Sequence, residues 1–415
     1  MAMTTNLRSG ARLLLALFLS FSGIYAEAQS NGSDLASSQL NAIQSGVPFM
    51  TITPDSRSGG MGDVGVAGPA TINSQHWNPA KYPFIESDGG VALSYTPWLR
   101  RLINDINLAY LAGFYRLDGG QVISASLRYF SLGQIVFTNN YGTPQGLYVP
   151  NEFALDAGYS RLLTDHFSAA IVFRFIRSDL TGGWTVGGSD TKAAVAVAGD
   201  LAFYYNRPQL NLGDKDGTMS FGVNIANMGN RISYSADQEK SYLPINLKMG
   251  GALEMVLDDY NTVTFMVDLN KLLVPTSPVY LDSAGIAIRD ENDDQIIEFG
   301  RDPDVPVPVG MVQSFFDAPG MIMPDGSRSV LREELHEITY SVGMEYWYRN
   351  QFAIRGGYFH EHETKGNRKY FTAGVGLRLN VFAIDFSYLI PVKQNNPLAN
   401  TLRFTLGFEL GRKQI

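Results

Sequence analysis

The chain has no cysteine among its 415 residues, so neither disulfides nor thiol chemistry takes part in its fold or function. Beyond the N-terminus no stretch approaches the ~20 apolar residues of a membrane helix, which excludes a helical inner-membrane protein. Histidine is scarce, with five residues, and no Gly-x-Ser-x-Gly elbow occurs, so no nucleophile, base and acid can be assembled from the sequence. Basic excess is also missing. The formal net charge is −8, and most of it comes from 281–304, where eight acids face only Arg289 and Arg301. Nucleic acid is therefore not an expected partner.

What is abundant is alternation. In Leu402-Arg403-Phe404-Thr405-Leu406-Gly407-Phe408-Glu409-Leu410 every even position is apolar and every odd one is polar or Gly. Residues 382–388 and 371–379 behave alike. Strand side chains point to opposite faces with period two, so each segment has one apolar and one polar face. With 42 Gly, 24 Phe and 21 Tyr and a mean hydropathy near zero, the composition fits a transmembrane barrel whose lipid and lumen faces average out. A soluble sandwich is the competing architecture.

Arg8 and Arg12 precede the apolar run 13–25, and Ala26-Glu27-Ala28 places small residues where a signal peptidase reads them. The reading is a signal peptide at 1–28, an N-terminal extension and plug at 29–88, and a barrel at 89–415. Strands are predicted at 89–96, 106–115, 121–133, 152–161, 166–177, 193–205, 217–227, 245–256, 261–271, 337–347, 351–359, 370–379, 382–390 and 402–410. That is an all-β antiparallel barrel of about 14 strands. Short turns should alternate with long outer loops, including 134–151, 178–192, 228–244 and 272–336; the link 206–216 is too long for its side.

Parity places Phe153, Leu155, Phe173, Phe265, Ile354, Phe404 and Phe408 in lipid. It points Arg128, Asp156, Arg174, Asp200, Lys248, Glu254, Asp268, Glu345, Arg355, Arg378, Asp385, Arg403 and Glu409 inward. Such mixed charge suits interlocking ion pairs in a mostly occluded lumen better than an ion-selective pore. Trp77, Trp98, Trp184 and Trp347 are candidates for interfacial girdles. Gly356-Gly357, Gly374 and Gly376 could host a strand kink, although strand glycines more often relieve crowding.

His360-Glu361-His362-Glu363 is the one candidate metal cluster, and it lacks an evident third ligand. Asp290-Glu291-Asn292-Asp293-Asp294 begins like a calcium loop, but Gln295 replaces the required Gly and Arg301 the bidentate Glu. Both read as charged loops, and no cofactor is expected. Gly60, Gly62 and Gly65 mimic a dinucleotide fingerprint without the βαβ unit it needs.

Between 54 and 82 the chain reads Pro54-Asp55-Ser56-Arg57-Ser58-Gly59-Gly60-Met61-Gly62-Asp63-Val64-Gly65-Val66-Ala67, then Ser74-Gln75-His76-Trp77-Asn78-Pro79-Ala80-Lys81-Tyr82. This Gly-rich stretch followed by Asn-Pro-Ala is similar to the plug of FadL-like outer-membrane barrels. With Leu93-Ser94-Tyr95-Thr96-Pro97-Trp98-Leu99-Arg100 and Leu127-Arg128-Tyr129-Phe130-Ser131-Leu132-Gly133, it resembles the PorV (LptO) family of the Bacteroidetes type IX secretion system. The likeness covers 48–180 and, by strand pattern, extends to the end; Ser56 and Ser58 depart from the family's frequent alanine, and 281–304 has no counterpart.

The resemblance implies a plug motif at Gly59, Gly60, Gly62, Asp63, Trp77, Asn78, Pro79 and Ala80, and a non-enzymatic role in the outer membrane. Implied partners are the SprA (Sov) translocon, cargo C-terminal signal domains, the PorU sortase and attachment complex, and the lipopolysaccharide-bearing bilayer. Trp98, Leu99, Arg100, Arg101 and Leu102 form an apolar and basic loop that is the candidate partner-docking segment. A FadL-type transporter of hydrophobic small molecules and a lipid-A deacylase are the alternatives.

Overall fold

Alternation of this kind leaves a strand only one way to bury its polar face while keeping its apolar face outward, which is to close on itself. The computed structural model describes residues 40–411 except 101, 102, 104, 139, 140, 186–188, 212, 214, 236–239, 284, 285, 394 and 395; the expected signal peptide lies outside the described residues. Fourteen antiparallel strands form a closed barrel: β1 (Gly89–Pro97), β2 (Ile106–Leu117), β3 (Gln121–Leu132), β4 (Asn151–Thr164), β5 (Phe167–Asp179), β6 (Ala194–Asn211), β7 (Asp216–Gly229), β8 (Asn246–Asp258), β9 (Asn261–Leu272), β10 (Thr339–Tyr348), β11 (Phe352–His360), β12 (Lys369–Leu379), β13 (Phe382–Pro391) and β14 (Leu402–Leu410). Closure runs from Gly89 opposite Leu410 to Tyr95 opposite Phe404.

The two ends differ as anticipated. One carries the turns 118–120, 165–166, 259–260, 349–351 and 380–381 and the short connection from Asn211 to Asp216; the other carries the long links, up to 273–338. The link that seemed too long shrinks because β6 and β7 extend to Asn211 and from Asp216. A register shift between Gly199 and Leu201 turns Asn227 to φ 64° and aims it at Asp200, whose Oδ1 accepts the Asn227 N–H at 2.8 Å.

Face assignment holds on the wall. Ile171 and Phe173 are 60% and 61% exposed, whereas Arg174 beside them is 3% exposed. The long link, read from sequence as one outer loop, carries structure of its own. It pairs Val279–Tyr280 with Ile297–Phe299 and Met321–Ile322 with Arg328–Ser329. It also holds two of the four short α-helices found among the described residues, which run α1 (Ser56–Gly59), α2 (Ser74–Trp77), α3 (Val307–Gln313) and α4 (Val330–His336). Among the described residues no helix is long and apolar enough to cross a membrane.

Residues 41–88 run through the lumen. At the long-loop end Asn41 N–H donates to Thr364 O at 2.9 Å, and at the short-turn end Asp88 N–H donates to Leu410 O at 3.0 Å. Val47, Phe49 and Met50 pack with Leu108, Phe130 and Ile176. Ile72, Tyr82 and Ile85 pack with Phe114 and Val122.

Candidate functional site

Glycine and asparagine make the luminal segment. Asp55 caps α1 by accepting the Ser58 N–H at 3.0 Å, and its other oxygen accepts the Trp77 indole N–H at 2.7 Å. Asn78 caps the 3-10 turn Pro79–Phe84 by accepting the Ala80 N–H at 3.0 Å, while its amide donates to Phe203 O at 2.9 Å on β6. Proline suits the first position of that turn because its missing N–H would have had no partner there. These caps leave the segment's backbone polar groups facing the wall, which answers them.

The wall's answers come from all sides. Asp268 on β9 accepts the N–H groups of Gly65 and Val66 at 2.7 and 2.9 Å. Thr372 on β12 accepts from Gly62 at 2.7 Å, and Thr405 on β14 from Ser56 at 2.9 Å. Ser220 on β7 donates to Ala67 O at 2.7 Å, and Ser160 on β4 to Pro79 O at 2.8 Å. Asp63, at φ 61°, meets the Tyr370 hydroxyl and lies 3.4 Å from Arg403. Gly59 packs against the Arg403 side chain and Gly60 against Gly374. Every residue of the predicted motif, Gly59, Gly60, Gly62, Asp63, Trp77, Asn78, Pro79 and Ala80, thus lies inside the barrel.

The inward charges pair as the mixed pattern anticipates. Arg174 bridges Asp156 at 2.7 Å and Asp200 at 2.9 Å. Glu345 holds Arg355 at 2.6 Å and also Arg57 of the luminal segment at 2.6 Å, and Arg355 reaches Asp385 at 2.6 Å. Arg57 therefore pins the segment through a buried carboxylate that already belongs to the wall. Buried ion pairs fix geometry more surely than they add stability, since removing one partner leaves an uncompensated charge.

The expectation of tryptophan girdles needs correction. Trp77 and Trp347 are not girdle residues. Trp77 is bound to Asp55 in the lumen, and Trp347 shares the inward parity of Glu345 with Arg355 and Arg378 over its ring. Trp184 stacks on Phe137 between two long loops. The strand glycines relieve crowding, as strand glycines more often do, and do not open the wall. The β10–β11–β12 ladder passes them without a register shift, and Gly343, Gly357 and Gly374 instead admit the backbone of residues 60–62.

The histidine cluster does not converge. His360 stacks on Tyr340, while His362 stacks on His336 from α4 at 3.5 Å. Burial and the neighbouring His336 hold His362 down to about 4. Glu361 is bound to Arg368 at 2.7 Å. Asp290, the supposed start of a calcium loop, accepts the N–H groups of Asn292 and Asp294 and closes a hairpin tip. Among the described residues no group of three or more His, Asp or Glu could hold a metal. Of the candidate docking loop, Trp98 and Leu99 are half-buried against Phe359, Tyr370, Leu389 and Leu398 at the barrel mouth, and Arg100 is exposed. Arg101 and Leu102 lie outside the described residues.

A feature the sequence did not signal joins the loops. Lys271 at the end of β9 binds Glu334 and Glu337 at 2.9 and 2.7 Å, and Lys365 binds Glu333 and Glu337 at 2.7 and 3.0 Å. Asn41 donates to Glu333 at 3.1 Å, so the cluster ties the luminal segment to two long loops. Alternation patterns stop where strands stop, and these partners lie up to 292 residues apart.

A closed barrel with an apolar belt and a hydrophilic interior is an outer-membrane β-barrel. Its fold is similar to the toluene transporter TodX of Pseudomonas putida (13% identity over 89% of this chain and 98% of that one, TM-score 0.44). The toluene transporter TbuX of Ralstonia pickettii (10%, 87% and 98%, TM-score 0.43) and a FadL homologue of Pseudomonas aeruginosa (11%, 87% and 99%, TM-score 0.41) are similar too. No curated protein matches the sequence. The family described as Type IX secretion system protein PorV matches residues 35–279. The chain belongs to that family, and its role lies in type IX secretion at the outer membrane.

Proposed function

We propose that this barrel is a non-catalytic docking component of type IX secretion. It binds the SprA (Sov) translocon, engages the C-terminal signal domain of cargo, and passes cargo to the PorU attachment complex at the lipopolysaccharide-bearing surface. Residues 29–88 serve as its plug and 89–415 as the barrel that presents the long loops, with the loop 98–102 contributing to the docking face. The observation that carries this reading is the occupied lumen. A segment hydrogen-bonded to β4, β6, β7, β9, β12 and β14 blocks passage through the barrel and leaves its outer and loop surfaces to meet the secretion machinery.

A transporter of hydrophobic molecules would need an apolar route past Asp63, Asp268 and the Glu345–Arg57 pair. Moving the luminal segment aside to open such a route would strip these groups of their partners and leave them against an apolar cargo, which is unfavourable. The test is affinity purification of the tagged barrel from detergent-solubilised outer membranes, with mass spectrometry of what accompanies it. Recovery of a very large translocon barrel or of proteins sharing a C-terminal domain supports the proposal. Recovery of the barrel alone with apolar small molecules in its lumen overturns it.

A further inference from the structure

The luminal segment leaves a cavity unfilled. It measures about 330 Å³ and lies between residues 43–53, the loop 361–368 and the inner faces of β7–β12, with Pro48 and Thr51 exposed along it. His76, Trp77 and Lys248 line its deep part. Pockets of this size hold small ligands when a few polar groups converge on an otherwise shaped wall.

The charges on its wall are unequal in their pairing. Lys365 is neutralised by Glu333 and Glu337, and Arg368 by Glu361. Lys248 is 7% exposed, and its ammonium has only a 3.3 Å hydrogen bond to His76 O and a position 5.2 Å from the Trp77 ring. Among the described residues no carboxylate oxygen lies within 4.0 Å of it. An ammonium offers three donors, and a buried one is costly without an opposite charge. Two residues along the same face, Asn246 also lines the cavity, and its buried Oδ1 has no donor.

Asp200 and Asp268 act on Lys248 only at longer range, and a cation without a direct ion pair, an aromatic face and a free acceptor in one chamber define a ligand. We propose that this chamber binds an organic carboxylate, with its anionic oxygens on Lys248 Nζ, its apolar body along Trp77, and an N–H or O–H donating to Asn246. The carboxylate has two possible sources, a free small molecule or the carboxyl end of a polypeptide entering from the long-loop end. The site goes beyond the secretion reading and does not depend on it, because the chamber is complete within this chain.

The test is calorimetric titration of the full-length barrel in detergent with 3-phenylpropionate, with 3-phenylpropionamide, and with one hexapeptide bearing a free or an amidated carboxyl end. Saturable binding of a carboxylate probe is expected, weakened at least tenfold by amidation and at least tenfold by Lys248→Met, as loss of a charged hydrogen bond requires. Heat-modifiable gel migration of the Lys248→Met barrel checks its fold, and the amide probe makes the same comparison on the unaltered protein. Binding of 3-phenylpropionate alone assigns a free solute, and binding of the free-ended peptide alone assigns a chain terminus. The proposal is overturned if neither carboxylate binds saturably, or if the amides bind as tightly as the acids.

Discussion

At the residue scale, two adjacent glycines show what the lumen demands of the wall. A Cβ on Gly357 would lie 2.0 Å from Met61 C and 2.3 Å from Gly62 N, which is backbone that cannot step aside. A Cβ on Gly356, one residue back and on the lipid face, would meet nothing nearer than Thr372 O at 4.0 Å. Gly357→Ala is therefore expected to destabilise the barrel by about 1–3 kcal/mol, the usual cost of overpacking, and Gly356→Ala to be nearly neutral. Loss of heat-modifiable gel migration on a temperature ramp measures both, and equal behaviour of the pair would refute the account. From sequence these glycines could host a kink but read more readily as crowding relief. Parity said which of them faces inward, but only the path of residues 60–62 says what presses on it.

At the scale of elements, α4 is held by its carboxylates. Glu333, Glu334 and Glu337 point at Lys271 and Lys365, while Leu331 and Leu335 stay exposed. Asp317 joins from the same loop, accepting the Thr276 N–H at 3.2 Å. Burial first, and then Glu334 and Glu337, pushes its carboxyl up to about 7 from an ordinary 3.8. A raised folded-state value means the folded loop keeps a proton that the opened loop loses, so this group's stabilisation falls as pH rises from about 4 to about 7. His362, held down to about 4, acts in the opposite sense, but only below its ordinary 6.5.

Between pH 6.5 and 8 the Asp317 effect is therefore the larger of the two, because its titration near 7 lies inside that interval while that of His362 is ending. Limited proteolysis of 273–338, normalised to an unfolded substrate, is expected to accelerate across that interval in the wild type and to stay flat in Asp317→Asn. An unchanged acceleration in Asp317→Asn would assign the effect to another group. None of this cluster was legible beforehand. The eye is drawn to the exposed acids of 281–304, whereas the acids that bind the loops together are fewer, later in the chain and paired with distant lysines.

For the whole molecule, the strands were legible because one period-two rule governs every residue of the wall and closure makes it obligatory. Fourteen predicted segments match fourteen strands, and the largest disagreement, at 206–216, arose where β6 and β7 run on past the apolar belt. The luminal motif was legible only as a resemblance. A segment with irregular backbone has no period, and its hydrogen bonds reach residues as far away as Thr405.

The same asymmetry of links predicts orientation, since barrels of this class keep short turns in the periplasm and long loops outside. The absence of native cysteine makes this directly testable. Glu291→Cys, at the exposed hairpin tip of the long link, should react with a membrane-impermeant maleimide on intact cells. Asp118→Cys, in the turn that joins β2 to β3, should react only once the outer membrane is permeabilised. The reverse pattern would place the acidic hairpin in the periplasm. The mouth of the Lys248 chamber would then face the periplasm as well, and a polypeptide end could reach it only before export.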